Sequence, residues 1–515
     1  MPTENRQVGI YKIISMRLAN AHQIREADRI QIHERNYPSL ILMENAALRM
    51  AQSILRDYPQ QKAFGILVGP GNNGGDGLVI ARQLHQAGME VQILLSHDPT
   101  RFEGDARINY EIIGEMPIPI TLYGQEPLQV WLDSFSISPL LIDGLLGTGI
   151  QSALRDPVLG LIDALRKSNP RILAIDLPSG LDASTGEAIN TPLQAEKTYT
   201  FQLPKVCHFV TPASLFCGEI EVIDIGLWPD VIDALDIKRT VLTHAHVEQQ
   251  LKQVRHTAAH KGDFGHVLVV GGSRNMTGAI SLTTQAALRA GGGLVTSLVP
   301  TACRDTVLHH ALEAMCVDVS GDYLGKQAVE VLDQHLQGKT AVVIGPGMGQ
   351  EIATADFLRE ILPMVQVPLL LDADALNILS QYQELWASLP DATVLTPHPG
   401  EMRRLLGVDT VNQRRLEAAE RLAQDKAVTV VLKGAGTIVA GASGHTYVNT
   451  TGNPGMAKGG SGDVLSGIIG SLMGQGYGIQ EAAGLGVFLH GRAGDAAADH
   501  LGQTRMTALD IIHHL

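Results

Sequence analysis

Short apolar runs alternate with longer stretches of helical periodicity along most of this chain. Residues 17–57 place apolar positions at helical spacing, and Pro38 divides the stretch into two predicted helices. Compact apolar runs follow and predict strands, in the order FGILVG, EVQILLS, PLLIDGLLG, RILAIDLP, KTYTFQLP and EIEVIDIG. Strands of this kind alternating with helices are typical of a parallel sheet covered on both faces.

This first series stops near the segment GLWPDVIDALDIKRT, and a second series of predicted strands then begins. Its members are HVLVVGGS, GLVTSLVP, AVVIGPG, PLLLDADAL, TVLTPHPGE and VTVVLKGAGTIV. A boundary within residues 230–245 therefore divides the chain into two α/β domains, which we place at 1–235 and 236–515. In both halves, glycine-rich or acidic loops directly follow strands, and ligands bind at that carboxyl edge of open parallel sheets.

Composition narrows the class of partner. The chain has 515 residues, 45% of them hydrophobic and 18% charged, which is sufficient for two full cores. Its net charge of −14 argues against nucleic acid or an anionic membrane as a partner. The four cysteines form no C-x-x-C pair, and no apolar run approaches about 18 residues. The opening MPTENRQVGIYK has no signal-peptide core, so we expect a cytoplasmic protein.

The loop GPGNNGGDG, at residues 69–77, follows the first strand and satisfies the dinucleotide-binding spacing G-x-G-x-x-G. A pyrophosphate loop favours bare backbone amides, whereas Asp76 would repel phosphate. By itself Asp76 is either a helix N-cap at the start of the next helix or a ligand-binding group. After the next strand, Asp98 is the only acidic candidate for a ribose, and it lies in a turn. These features disfavour a hydride-transferring dehydrogenase.

Oxygen-bearing side chains follow three strands of the first domain. Asn73 lies in the first loop, Asp143 ends the strand in LLIDGLLGTG, and Asp176 with Ser179 follows the strand in LAIDLPSGLD. Each of these residues alone is explained equally well as a turn or cap residue. Together they favour a hard cation, for which oxygen ligands are suited, or a carboxylate acting as acid or base on a bound substrate.

The first half resembles the NAD(P)H-hydrate epimerase family, also called the YjeF N-terminal domain. The resemblance covers roughly residues 15–230 and rests on MENA (43–46), GPGNNGGDG, IDGLLGTG and AIDLPSGLDASTG (174–186). It implies a Rossmann-like three-layer fold and interconversion of the R and S forms of NADH or NADPH hydrated at C6 of the nicotinamide ring. It also implies Asp176 as the acid–base residue and Asn73, Asp143 and Ser179 as ligands of K⁺. The implied substrate-binding residues are Asn72, Asn73, Gly74, Gly75, Asp76, Gly147, Thr148, Gly149, Ile150, Gln151, Ser152, Ala153 and Asp176.

The most informative stretch of the second half is GNPGMAKGGSGDVLSGIIGSL, at residues 452–472. Its glycines expose backbone amides at the start of a predicted helix, where anions are stabilised. Asp463 in the first turn is either a cap or the base that prepares a hydroxyl for phosphoryl attack. Lys433 in VLKGAGTIV is either a phosphate-neutralising cation or a solvated charge, and His398, between two prolines in TPHPGE, is either structural or a ligand.

In order along residues 250–515, the segments HKGDFGHVLVVGGS, MTGA, GPGMG, TPHPGE, KGAGT and GGSGD resemble the ribokinase-like superfamily. More narrowly, they are similar to the ADP- or ATP-dependent NAD(P)H-hydrate dehydratase, the YjeF C-terminal domain. The hydrated substrate is then expected at Ala279, Gly347, His398 and Asp463. The nucleotide is expected at Lys433, Gly434, Ala435, Gly436, Thr437 and Gly462. Lys458 departs from the small or hydroxyl residue common in relatives, and it could hold phosphate or point to solvent.

The two resemblances together predict a bifunctional repair enzyme for NAD(P)HX. The first domain would use K⁺, and the second would use Mg²⁺ with ADP as phosphoryl donor and release AMP and phosphate. A homo-oligomer of unknown number is expected, because domains of this type often self-associate. Two other interpretations remain open at this point. One is a small-molecule kinase fused to an inactive nucleotide-binding module, and the other is a scaffold that senses nucleotides.

Overall fold

The computed structural model describes residues 16–150, 152–251, 256–412 and 414–515. The chain divides into two compact units, with the division between Lys238 and Arg239. Among the described residues, no helix is both long enough and apolar enough to cross a membrane.

Seven strands of the first unit's described residues form one fully parallel sheet, in the order β3-β2-β1-β4-β5-β6-β7. They are β1 (Ala63–Val68), β2 (Glu90–Leu95), β3 (Ile120–Leu122), β4 (Leu140–Gly144), β5 (Ile172–Ile175), β6 (Lys197–Phe201) and β7 (Glu219–Ile223). The central strands β1, β4 and β5 are buried along their whole length, which explains their continuous apolar sequences.

Helices cover both faces of this sheet, as the strand pattern predicted. They are α1 (Ala21–Arg29), α2 (Ser39–Asp57), α3 (Asn72–Gln86), α4 (Gly104–Gly114), α5 (Leu128–Asp133), α6 (Val158–Ser168) and α7 (Pro229–Asp233). Along β1, Phe64 and Ile66 pack in one core with α2, α3 and α4, whereas Leu67 packs in the opposite core with α5 and α6. Pro38 precedes the first residue of α2, so the predicted break between two helices is confirmed.

The second unit has a larger sheet, in the order β8-β17-β16-β15-β14-β13-β12-β9-β10-β11. Its strands are β8 (Arg239–Leu242), β9 (His266–Val270), β10 (Leu294–Pro300), β11 (Met315–Val319), β12 (Ala341–Ile344), β13 (Leu369–Leu371), β14 (Thr393–Leu395), β15 (Thr429–Leu432), β16 (Ile438–Ala440) and β17 (Thr446–Asn449). The expectation of parallel strands is wrong at one place. The run VTVVLKGAGTIV folds into β15 and β16, which are antiparallel because the glycine loop between them reverses the chain, and β16 also pairs antiparallel with β17.

The helices of the second unit are α8 (His244–Gln250), α9 (Thr277–Arg289), α10 (Thr301–His310), α11 (Val329–Leu336), α12 (Ile352–Ile361), α13 (Asp374–Gln381), α14 (Pro399–Leu406), α15 (Arg415–Lys426), α16 (Ser461–Gly474), α17 (Ile479–Leu501) and α18 (Ala508–His513). Helix α16 lies in the core with α9, α17 and the apolar residues of β9 and β12. The predicted α/β fold class is therefore confirmed in both units. Both sheets direct the carboxyl ends of their central strands toward the loops singled out from the sequence.

Candidate active sites

The loop after β1 leads directly into α3, which begins at Asn72 with Gly71 as its N-cap. The interpretation of Asp76 as a helix cap is therefore wrong, because the helix begins four residues earlier and Asp76 lies in its second turn. The side chain is buried, with 9% exposed. A Cβ atom on Gly74 would lie 1.9 Å from the carbonyl oxygen of Gly69. The glycine is thus required for α3 to pack against its own entry loop, whatever ligand the loop holds.

Asn73 and Ser179 both bond the backbone of Leu146, and Ser179 links this backbone to Asp143. The Asn73 side-chain amide donates to the Leu146 carbonyl at 2.9 Å, and the Leu146 amide donates to Ser179 Oγ at 3.0 Å. Ser179 also donates from its hydroxyl and its backbone amide to the Asp143 carboxylate, both at 2.7 Å. The structure therefore brings together the three residues implied as K⁺ ligands.

The chemistry of this group fits a hard cation. Asp143 is fully buried, and burial raises its pKa to about 6. Among the described residues, only hydrogen bonds from Ser179 and Leu145 offset this raised pKa. A buried carboxylate with hydroxyl, amide and carbonyl oxygens around it is a set of hard ligands, and a cation would compensate its charge.

Asp176 follows β5 in the left-handed backbone region, with φ of 62°. Its Oδ1 atom accepts hydrogen bonds from Thr200 Oγ1 at 3.0 Å, from the Phe201 amide at 3.1 Å and from Lys205 Nζ. Its carbonyl oxygen lies 2.9 Å from His208 Nε2. Burial by itself would raise the pKa of Asp176, but the charge and hydrogen bond of Lys205 outweigh it and hold the pKa below its ordinary value.

Further carboxyl groups lie near Asp176. Asp76 on α3 and Asp28 on α1 both interact electrostatically with Asp176 and Lys205. Burial raises the pKa of Asp28 to about 6, and burial together with Asp176 raises the pKa of Asp76 well above its usual range. Carboxyl groups in one site whose pKa values are driven apart can serve as acid and base for the same substrate.

The remaining residues implied for this substrate lie along two loops. A Cβ on Gly147 would lie 3.2 Å from Asn73 Cβ, and one on Gly75 would lie 2.8 Å from Met43 of the MENA segment. Ser152 and Ala153 are exposed, whereas Thr148 and Ile150 are partly buried; Gln151 lies outside the described residues.

In the second unit, the carboxyl ends of β13 and β15 bring two charges together. Lys433 Nζ donates to Asp372 Oδ1 at 2.8 Å and lies 3.9 Å from Glu401 Oε2. Asp372 is 1% exposed and also accepts from Ser466 Oγ of α16 at 2.7 Å. Burial would lower the pKa of Lys433, but its pairing with Asp372 and Glu401 raises it. Lys433 is therefore a charged group held inside the site and not a solvated loop residue.

Asp463 lies in the first turn of α16, as the sequence predicted. Burial, reinforced by Asp372 and partly offset by Lys433, raises its pKa to about 7. A Cβ on Gly462 would lie 3.3 Å from Lys433 Nζ, so the start of the helix faces the lysine. A carboxyl group with this pKa at a helix N-terminus is suited to accept a proton beside an anion.

Two residues implied for the hydrated substrate are neighbours. Gly347 has φ of 61°, and a Cβ placed on it would meet Ala279 Cβ at 3.0 Å and the Met276 carbonyl oxygen at 2.7 Å. Only glycine adopts this backbone without strain and leaves the space beside α9 open. His398 has a structural role as the N-cap of α14, because its Nδ1 accepts from the Gly400 amide at 2.9 Å. Its side chain is half exposed, and its Nε2 lies 3.5 Å from Glu401 Oε1.

Arg415 holds the loop Lys433–Thr437 in place through hydrogen bonds to its backbone. This buried guanidinium donates to the carbonyls of Ala435 at 2.5 Å, of Lys433 at 3.2 Å and of Leu432 at 3.4 Å. Thr437 Oγ1 closes the loop onto the Gly434 carbonyl at 2.9 Å. Lys458 Nζ donates to the Thr504 and Met506 carbonyls at 2.7 and 2.5 Å, so two of its three protons bind the backbone.

Comparison with known proteins agrees with the two-part organisation. A family model described as the YjeF-related protein N-terminus matches residues 39–207, and one described as NAD(P)H-hydrate dehydratase matches residues 267–515. The bifunctional NAD(P)H-hydrate repair enzyme Nnr of Moorella thermoacetica is 41% identical over 97% of this chain and 96% of its own length. The chain belongs to the bifunctional NAD(P)H-hydrate repair enzyme family. The family member from Escherichia coli is 35% identical over 96% of this chain and 93% of its own.

Two solved structures similar to the chain each cover about half of it. A ribokinase-like superfamily protein from Enterococcus faecalis covers 54% of this chain and 93% of its own, with 29% identity and a TM-score of 0.49. An ADP/ATP-dependent NAD(P)H-hydrate dehydratase from Bacillus subtilis, crystallised with ATP and Mg²⁺, covers 53% and 95%, with 27% identity and a TM-score of 0.47. The resemblance seen in the motifs and the prediction of a bifunctional epimerase and dehydratase are confirmed by the family.

Sequence reasoning missed several residues that the repair-family sites bring together. Lys205 and Asp372 follow strands at the carboxyl edge, so the rule that selected Asp143 and Asp176 could have found them. Asp28 gave no such signal, because a carboxylate on an amphipathic helix is ordinarily on the solvent face. Arg415 was also indistinguishable from a surface arginine.

Proposed function

We propose that this chain repairs NADH and NADPH that have taken up water at C6 of the nicotinamide ring. The first unit interconverts the R and S hydrates, and the second dehydrates the S form with ADP as phosphoryl donor. The observation that carries the proposal is Asp463, a carboxyl group with a pKa raised to about 7 in the first turn of α16, beside the partly buried cation Lys433. This pairing of a base with a positive charge is suited to phosphoryl transfer onto a hydroxyl.

In the second unit, Asp463 takes the proton of the C6 hydroxyl as its oxygen attacks the terminal phosphorus of ADP, and AMP leaves. The phosphate then leaves C6 with the C–O electron pair, while the lone pair of the ring nitrogen forms the C6–N double bond. Loss of a proton from C5 restores the dihydropyridine. Phosphorylation is needed because hydroxide is a poor leaving group, whereas phosphate is a good one.

The protein's part in this transfer is mainly electrostatic. Lys433 and the amides at the start of α16 face the transferring phosphoryl group, and Arg415 holds the carbonyls of the loop assigned to the nucleotide. The described residues contain no group of three or more His, Cys, Asp or Glu placed to hold a metal ion. Magnesium would be held with the phosphates of the nucleotide, and its charge would offset theirs.

In the first unit, Asp176 removes the proton of the C6 hydroxyl, and the O–H electrons form a carbonyl while the C6–N1 bond opens. N1 takes a proton from water and leaves hydroxide. On closure N1 attacks the other face of the carbonyl and gives its proton back to the hydroxide, while Asp176 returns the first proton to the oxygen, so that only C6 is inverted. Asn73, Asp143 and Ser179 would hold potassium, which supplies a fixed positive charge close to the substrate. The residues of the loop 147–153 are proposed to contact the nucleotide.

A mixture of R and S hydrates incubated with the chain tests the whole proposal. With ADP, Mg²⁺ and K⁺, the absorbance of the reduced coenzyme should recover completely, and AMP and phosphate should appear in equal amounts. ATP in place of ADP tests the choice of donor. Accumulation of a stable phosphorylated product would instead identify a small-molecule kinase, and no turnover with either nucleotide would identify a binding protein. Light scattering in solution tests the expected homo-oligomer, and cell fractionation tests the expected cytoplasmic location.

A further inference from the structure

The two oxygens of the Asp176 carboxylate have different surroundings. Oδ1 accepts three hydrogen bonds, from Thr200, Phe201 and Lys205, whereas none of the described residues donates a hydrogen bond to Oδ2. A carboxylate anchored through one oxygen has a fixed orientation and keeps the other oxygen for a ligand.

Lys205 is the only charged donor of these three. It is fully buried, and its Nζ also donates to Thr200 Oγ1 and to the Phe201 carbonyl, both at 3.0 Å. An ammonium group has three protons, so these three bonds satisfy it completely. Lys205 therefore has no proton left for a substrate, and its effect must pass through Asp176.

The backbone on both sides of this pair is also fixed. The Lys205 amide donates to His208 Nδ1 at 2.9 Å, so in the neutral ring Nε2 carries the proton and donates to the Asp176 carbonyl oxygen. This bond helps to hold Asp176 in its left-handed conformation, which is strained for a residue other than glycine. A strained residue held by a lysine and a histidine of one turn indicates a preset catalytic group.

We infer that Lys205 is the positioning residue of the epimerase site, and that Oδ2 of Asp176 is the atom that takes and returns the proton of the C6 hydroxyl. The inference rests on the proposed epimerase activity of the first unit. The ion pair with Lys205 keeps Asp176 ionised although it is buried, and the shared Oδ1 contacts aim Oδ2 at the substrate. No electron transfer is involved, since one proton moves to Oδ2 and returns while water lends a second proton to N1 and takes it back.

The Lys205→Met variant tests this assignment through the pH dependence of R-to-S conversion. The base must be ionised, and burial without the lysine raises the pKa of Asp176, so the acid limb of kcat should move up by about one to three pH units. The turnover should therefore fall more at pH 5 than at pH 8, with a smaller change in KM. The other titratable groups that act on Asp176 are Asp28, Asp76, Cys207 and His208, all unchanged in the variant.

A matched control is Lys197→Met. Lys197 is also a buried lysine of the first unit, but it pairs with Asp57 at 2.6 Å and with Glu221 at 2.8 Å, away from Asp176. The Lys197→Met variant should be less stable than the unchanged chain, but the pH profile of its R-to-S conversion should not move. If Lys205→Met does not fold, Thr200→Val removes one donor to the same Oδ1 atom and should shift the acid limb in the same direction by a smaller amount. Dehydration of the pure S form by each variant reports whether the rest of the chain is intact.

The outcomes separate the two levels of the proposal. If the unchanged chain does not accelerate R-to-S conversion, the epimerase function itself is wrong. If the unchanged chain is active and both Lys205→Met and Thr200→Val keep its pH profile, the lysine is only structural and the inference is overturned. A parallel shift in Lys197→Met would also overturn it, because the effect would then follow from the loss of any buried lysine.

Discussion

Replacement of Asp463 by asparagine should have opposite effects on activity and on stability. The change keeps the shape of the side chain but removes the ionisation, so the dehydratase rate should fall by about 10²- to 10⁴-fold, as expected for the loss of a general base. Binding of ADP should persist, since the amides at the start of α16 and the loop held by Arg415 are unchanged. The loss of rate would then lie in kcat and not in nucleotide affinity.

The stability effect follows from the pKa of Asp463, which the structure raises from 3.8 to about 7. Between these pH values the unfolded chain releases a proton that the native chain keeps. The protonated carboxyl group of Asp463 therefore contributes its full stabilisation to the native state below pH 3.8. This stabilisation is lost as the pH rises through about 7. The rise in pKa of about three units corresponds to a loss of about 4 kcal/mol in the free energy of unfolding at pH 8. The asparagine variant does not ionise and therefore does not have this loss.

Calorimetric unfolding of the full chain at pH 5 and pH 8 measures this difference. For a unit of this size, about 4 kcal/mol corresponds to a rise in Tm of roughly 10 °C at pH 8, with a clearly smaller rise at pH 5. Val464→Ala, on the next residue of the helix, is a control that should destabilise both pH conditions alike. If the asparagine variant is inactive but no more stable than the unchanged chain at pH 8, the buried carboxylate of Asp463 does not destabilise the native state, and the reasoning is refuted. A variant with ordinary dehydration would remove Asp463 from the chemistry.

Three other substitutions test separate parts of the sites. Asp176→Ala should abolish R-to-S conversion and leave S-form dehydration intact, whereas persistent turnover of the R form, followed by separation of the epimers, would make Asp176 a structural turn residue. Lys433→Met removes the charge that lowers the pKa of Asp463, so the acid limb of dehydratase kcat should move to higher pH; an unchanged limb would contradict the coupling. Arg415→Met should raise the KM for ADP by about ten-fold or more with little change in kcat, because it frees two carbonyls of the nucleotide loop and the carbonyl of Leu432 just before it. An unchanged KM would show that the loop is held without the arginine.

The candidate sites could be predicted where they depend on local sequence. Glycines in fixed positions after a strand specify a loop and a helix start, so the placement of Asp463 in the first turn of α16 was correct. The same reasoning failed at Asp76, because α3 begins within the asparagines and not at the aspartate. Either helix start agrees with the local sequence, and only the packing of Gly74 onto Gly69 selects one of them.

The sequence by itself determined the alternation of strands and helices, the division into two α/β units and the loops that carry the motifs, because periodicity and turn chemistry act over a few residues. Only the tertiary structure decided which charges meet. Asp176 and Lys205 are 29 residues apart, and Lys433 and Asp372 are 61 residues apart. Electrostatic interaction in a buried site depends on distance and dielectric environment, and sequence separation does not set either. The protonation states on which both proposed reactions depend are therefore a property of the fold.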